Sequence, residues 1–192
     1  MPVVWIILLA SIFAWILPPI KQFRTRYFLF FLILAISDMA ELLFFLLKTH
    51  LNPYPLFILL LYYSLSKRNK KAKVIIFLLF AVFMPVVLWL PAIYMRGLYI
   101  FMHTGILLII VFEFMLYIEK QKALNLFYII LIAYELSVIY KLVARTLDLN
   151  NGVILFYLTS FVEIIFGILF AFININTKDF RIFKNLQEPG LK

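Results

Sequence analysis

The sequence predicts an all-α polytopic membrane protein: a seven-transmembrane-helix bundle with its N-terminus outside and its C-terminus cytoplasmic. Three observations carry that expectation. First, 66% of the 192 residues are apolar, only 14% are charged, and mean hydropathy is +1.07. A soluble domain of this length needs a polar surface, so the composition belongs in lipid. Second, seven apolar stretches fill the chain, most of them near the ~20 residues that a bilayer-crossing helix requires. Third, the basic residues between those stretches gather on alternate connections, which fixes a direction.

The first span is expected over residues 3–20. Met1 to Trp5 carry no basic side chain, and no A-x-A-like site follows before Pro18 and Pro19. A cleavable signal peptide is therefore not expected, and this segment should remain as a span. The second span covers residues 27–47. The third, residues 51–66, has a short apolar core, but the loop charges require it to cross. If it did not, Lys67, Arg68, Lys70, Lys71 and Lys73 would face opposite to Lys21, Arg24 and Arg26. The fourth span, residues 74–95, contains Pro85, whose missing N–H predicts a kink. The fifth, sixth and seventh spans cover residues 98–118, 126–146 and 153–173.

With this assignment fourteen of the eighteen Lys and Arg residues lie on one side, which includes Lys120, Lys122 and a tail bearing Lys178, Arg181, Lys184 and Lys192. Aromatic rings fall where amphipathic rings belong, with Trp89, Tyr94 and Tyr99 near the outer interface and Tyr27 and Tyr117 near the inner one. Residues 1–176 are read as the seven-helix domain and 177–192 as a short basic cytoplasmic tail. The expected location is the cell (inner or plasma) membrane, multi-pass. The segment His50 to Pro55 reads as a turn and helix start.

Ionisable groups inside spans are costly, at about 2.5–3.5 kcal/mol for Asp, Lys or Arg at a helix centre on insertion scales. This chain places Asp38 and Glu41 in span two, His103 and Glu113 in span five, Glu135 and Lys141 in span six, and Glu163 in span seven. From the ~1.5 Å rise per residue, Asp38, Glu135 and Glu163 lie about 15 Å below the outer ends of their helices. Glu41 and Lys141 lie at about 7–10 Å, and Glu113 at about 22 Å, nearer the cytoplasm. Tyr134, Ser137, Lys141 and Arg145 share one face of span six, with Glu135 at its flank. Ser160, Glu163, Gly167 and Asn174 share a face of span seven, and Asp38 and Glu41 a face of span two. These stripes are expected to meet inside the bundle. Asp38, Glu41, Glu135, Lys141, Glu163, Ser160 and Tyr134 then form the candidate ligand- or ion-binding set, with His103 and Glu113 as secondary members. Three level carboxylates repel one another if all are charged, so the arrangement favours at least one protonated carboxyl. The alternative is a structural network in which such groups bridge helices, with Glu41 pairing Lys141.

Several functions are excluded or disfavoured by residue type. Without cysteine there is no thiolate nucleophile, disulfide or cysteine metal site, and two histidines cannot supply a three-histidine zinc site. No metal, no cofactor and no catalytic residue is expected. Span seven has no lysine for a retinal Schiff base, and neither a Gly-x-Gly-Asp nor a Gly-x-Ser-Gly motif is present. The net charge of +9 sits in juxtamembrane clusters that orient helices and attract anionic lipid, so nucleic acid is not an expected partner. The lipid bilayer is, together with a membrane or cytoplasmic signalling partner. The leading functional expectation is a non-enzymatic sensor or accessory subunit with a polar acidic site in the bundle. A cation- or proton-coupled small transporter or channel is the alternative, and an intramembrane lipid-modifying enzyme ranks third. Transport is lowered because only Gly105 and Gly167 lie inside spans and no inverted repeat is visible.

Overall fold

The computed structural model describes residues 2–47, 54–65, 74, 78, 82, 92–147 and 152–176. Among them the chain is all-helical, with six helices: α1 (Pro2–Lys21), α2 (Phe28–Leu46), α3 (Tyr54–Leu65), α4 (Ala92–Gln121), α5 (Leu126–Thr146) and α6 (Gly152–Phe172). Most of the expected fourth span, with Trp89 and Pro85, lies outside the described residues, as does the tail over 177–192.

The six helices close into a ring. Each packs on its neighbour in sequence, and α6 returns to pack along α1. Side-chain contacts set the directions. Gln22, just past the end of α1, donates through Nε2 to the carbonyls of Phe170 (3.4 Å) and Ile173 (2.8 Å) at the end of α6. The two helices therefore run parallel. Tyr54 at the start of α3 touches Tyr99 and His103 early in α4, and Tyr62 further along α3 donates to the carbonyl of Met102 at 2.6 Å. Those helices are parallel too. Tyr27 before α2 reaches Glu113 far down α4, so α2 runs against α4. Thus α1, α3, α4 and α6 run one way and α2 and α5 the other.

The helix faces divide by polarity. Outward positions are apolar: Ile6, Leu9, Phe13, Leu17 and Ile20 on α1, and Leu158, Phe161, Ile165, Ile168 and Phe172 on α6, all spaced by three or four residues. Val74, Leu78 and Val82 are likewise helical and exposed. The inward face of α4 reads Tyr99, His103, Ile106, Ile110 and Glu113, also at helical spacing. Aromatic rings fill the middle of the ring. Trp15 of α1 meets Tyr134 of α5 at 5.0 Å, and Phe31, Phe127 and Phe170 pack below them. Two stretches, Tyr94–Gln121 and Leu126–Ala144, are long and apolar enough to cross a membrane by length and composition.

One boundary differs from the sequence expectation. Helix α4 begins at Ala92, not residue 98, and absorbs Tyr94 and Gly97. Helix α3 is described only from Tyr54, since residues 51–53 lie outside the described part.

At the end where α1 finishes, two side chains replace missing backbone partners. Gln22 is fully buried and caps the last carbonyls of α6, as above. Asn125 accepts through Oδ1 from the Phe127 N–H (2.9 Å) to start α5, and its Nδ2 donates to the Ile175 carbonyl (2.9 Å). Helix ends leave such groups unpaired within the helix, so each side chain satisfies a terminus that would otherwise lack a partner. Lys21, Arg24, Arg26, Lys120 and Lys122 all lie at this basic end.

Candidate functional site

Polar groups inside the ring form three clusters. The first is centred on His103 of α4, 3% exposed, and Glu135 of α5, 0% exposed. His103 Nδ1 lies 3.0 Å from Glu135 Oε2, and His103 Nε2 lies 2.8 Å from the hydroxyl of Tyr54 on α3. The other carboxyl oxygen, Glu135 Oε1, is buried without a hydrogen-bond partner. Tyr54, His103 and Glu135 thus make a chain of hydrogen bonds across three helices, running from the start of α3 toward the centre.

The second cluster joins α5 to α6. Lys141 Nζ donates to Glu163 Oε1 at 2.5 Å, with side chains 18% and 20% exposed. Among the described side chains the partner of Lys141 is Glu163: from the flank of α5 that packs on α6, the long lysine stem extends down to the level of Glu163. Glu41 lies one turn from Asp38 on α2, and its side chain is outside the described residues. Asp38 itself accepts from the Ser11 hydroxyl of α1 at 3.3 Å through Oδ2.

Tyr134 stands between these groups. It is buried against Trp15, Phe166 and Phe170, and lies within electrostatic reach of Glu135, Glu163, Asp38 and Tyr54. Ser160 is buried on α6. Carboxyls of α2, α5 and α6 thus lie within electrostatic reach of one tyrosine. The carboxyls do not share a single point: Glu135 faces His103, Glu163 faces Lys141 and Asp38 faces Ser11.

The third cluster lies at the basic end and was not anticipated as a pairing. Glu113, buried on α4, accepts from the Tyr27 hydroxyl at 2.7 Å through Oε2 and pairs through Oε1 with Arg26. Burial works against the Arg26 charge, yet the neighbouring tyrosine and the Glu113 carboxylate outweigh it and raise its pKa above the ordinary value. Read from sequence, Arg26 is one orienting charge among several, and nothing in its spacing announces the reach to α4. His103 was hidden by the helix start: counted from the expected residue 98 it falls above Glu135, whereas from the observed start at Ala92 it lies about 16 Å down, level with Glu135 measured from the end of α5.

Among the described residues no group of three or more His, Asp or Glu could hold a metal ion. The fold and the site together define a class: a closed helical ring, apolar outside, with an aromatic and aliphatic interior bridged by titratable pairs. No known protein family, curated protein or solved structure matches the chain.

Proposed function

We propose that this chain is a non-enzymatic, seven-helix integral membrane protein of the cell membrane, a sensor or accessory subunit whose interior carries a polar acidic site. The observation that supports it most is the apolar exterior of the ring around buried titratable side chains. Soluble monomers rarely expose apolar patches beyond a few hundred Å². Here apolar stripes cover the outward faces of α1, α2, α4 and α6, while His103, Glu113 and Glu135 are buried. In lipid that distribution is the stable one, because the apolar faces meet the acyl chains and the buried polar groups pair across helices, with Glu135 Oε1 alone among the described buried side-chain atoms lacking a donor.

The direction of the helices supports the seventh span. Four described helices run one way and two the other, and both parallel contacts need a returning crossing. Residues 66–91 join the end of α3 to the start of α4, at opposite ends of the bundle. They are long enough for one helical crossing of ~30 Å. With the basic loops inside, the N-terminus is outside and the C-terminus cytoplasmic.

Within this class the interior pairs favour a fixed bundle over a moving one. Each bridge ties neighbouring helices, and the ring is held at the basic end by Gln22, Asn125 and the Arg26 to Glu113 pair. A bundle so tied suits recognition of a ligand or partner better than alternating access. Reconstitution in liposomes separates the two. Under an imposed pH or sodium gradient, the wild type is expected to pass no ions, and Glu163→Gln to behave alike. Ion flux in the wild type that is lost in Glu163→Gln would replace this reading with cation- or proton-coupled transport.

A further inference from the structure

We infer that Tyr54, His103 and Glu135 form a one-proton binding site, filled from the end of the bundle opposite the basic loops. The inference starts from Glu135 Oε1, which is buried and has no donor. As a carboxylate, Glu135 would leave part of a negative charge bare in an apolar interior, where an unpaired charge is far more costly than an unpaired neutral group. With Nδ1–H of His103 donating to Oε2, the three groups together carry one negative charge. One proton neutralises it, and Oε1 becomes a neutral carbonyl oxygen whose missing partner costs much less.

The hydrogen bonds supply the route. Tyr54 opens α3 and is only partly buried, whereas His103 and Glu135 are sealed. A proton arriving at Tyr54 Oη lets the phenol pass its own proton to His103 Nε2. His103 then passes its Nδ1 proton to Glu135 Oε2. At the end Tyr54 is again a phenol, His103 is neutral in its other tautomer, and Glu135 is a neutral acid that donates to Nδ1. Both hydrogen bonds survive with their direction reversed, so filling the site breaks no contact. The other titratable groups within electrostatic reach of Glu135 are Tyr62 from α3 and Tyr134 from α5, and Tyr134 is in turn within reach of Asp38 from α2 and of Glu163, which pairs with Lys141. Lys141 is already matched by Glu163, so no cation in that set takes the place of the proton.

The proposal rests on the membrane reading only for the side of entry. Its test is made in detergent micelles, where neither the number of crossings nor their direction matters. The chain has two histidines, so His50→Gln leaves His103 as the single imidazole. With ¹⁵N-histidine, nitrogen shifts report which ring atom holds the proton, and infrared difference spectra report the carboxylic acid band of Glu135. Between an alkaline and an acid pH at which the protein stays folded, His103 is expected to pass from Nδ1–H to Nε2–H as one acid band appears. Glu135→Gln should lose the band and hold one tautomer throughout. Tyr54→Phe should reach the same end states with slower hydrogen–deuterium exchange at His103. A single tautomer and no acid band at either pH in the folded His50→Gln protein would overturn the proposal and leave a permanent helix bridge. A change that follows sodium or potassium at constant pH would overturn it in favour of an alkali-cation site. Both readouts exist without the Glu135 or Tyr54 variants, so poor folding of either leaves the test intact.

Discussion

At the scale of single residues, the interior is governed by who donates to each carboxyl. Lys141 and Glu163 are the clearest case. Removing one member of a buried pair leaves the other uncompensated, whereas removing both can be nearly neutral. Lys141→Met is therefore expected to destabilise the purified protein by about 1–3 kcal/mol, as part of the pair is solvent-accessible. Lys141→Met with Glu163→Met should lose less than the two single changes summed, measured as a double-mutant cycle in thermal melts. Two glycines set close approaches. A Cβ at Gly167 would meet the Ala14 backbone at 3.1 Å, and one at Gly105 would fall 1.9 Å from the Tyr62 hydroxyl. Backbone cannot swing aside, but a tyrosine tip can. Gly167→Ala should thus cost about 1–3 kcal/mol in any background. Gly105→Ala should cost less once Tyr62→Phe has removed the hydroxyl. Equal costs with and without that hydroxyl would contradict the contact.

At the scale of elements, the helix ends explain the tight basic end. Gln22 and Asn125 donate to carbonyls at the end of α6 that have no helical partner. Asn125 also starts α5, so Asn125→Ala removes a helix cap together with an interhelix bond. The expected loss is at least the ~1 kcal/mol typical of a cap, and amides of α5 and α6 near this end should exchange faster with solvent. Unchanged exchange at residues 127 and 173–175 would show that the cap is not needed. The helices themselves were legible in the sequence because apolar runs and three- to four-residue spacing specify a face. What was not legible was each partner. Periodicity places Lys141 on a stripe of α5 but does not say whether that stripe turns toward α2 or α6. It places Tyr54 at a helix start without revealing that its hydroxyl meets His103.

At the scale of the whole molecule, the ring order follows from short connections, which make sequential helices neighbours. The closure of α6 onto α1 did not follow from them. It depends on Gly167 and Ala14 allowing close approach and on Gln22 reaching the end of α6, features with no local signature. The parallel contact of α3 with α4 makes the crossing by residues 66–91 testable. Ser66→Cys and Tyr94→Cys should label from opposite sides of a membrane, and labelling from the same side would remove that crossing. The central claim is that this helical ring spans a bilayer with its basic end in the cytoplasm. Since the chain has no cysteine, single probes are unambiguous. The most direct measurement places cysteines at Lys122, in the basic-end loop, and at Leu147, past the far end of α5, both exposed. In intact cells an impermeant thiol reagent should label Leu147→Cys at once and Lys122→Cys only after the membrane is opened. Labelling of both positions from outside, or recovery of the protein in the soluble fraction, would contradict it.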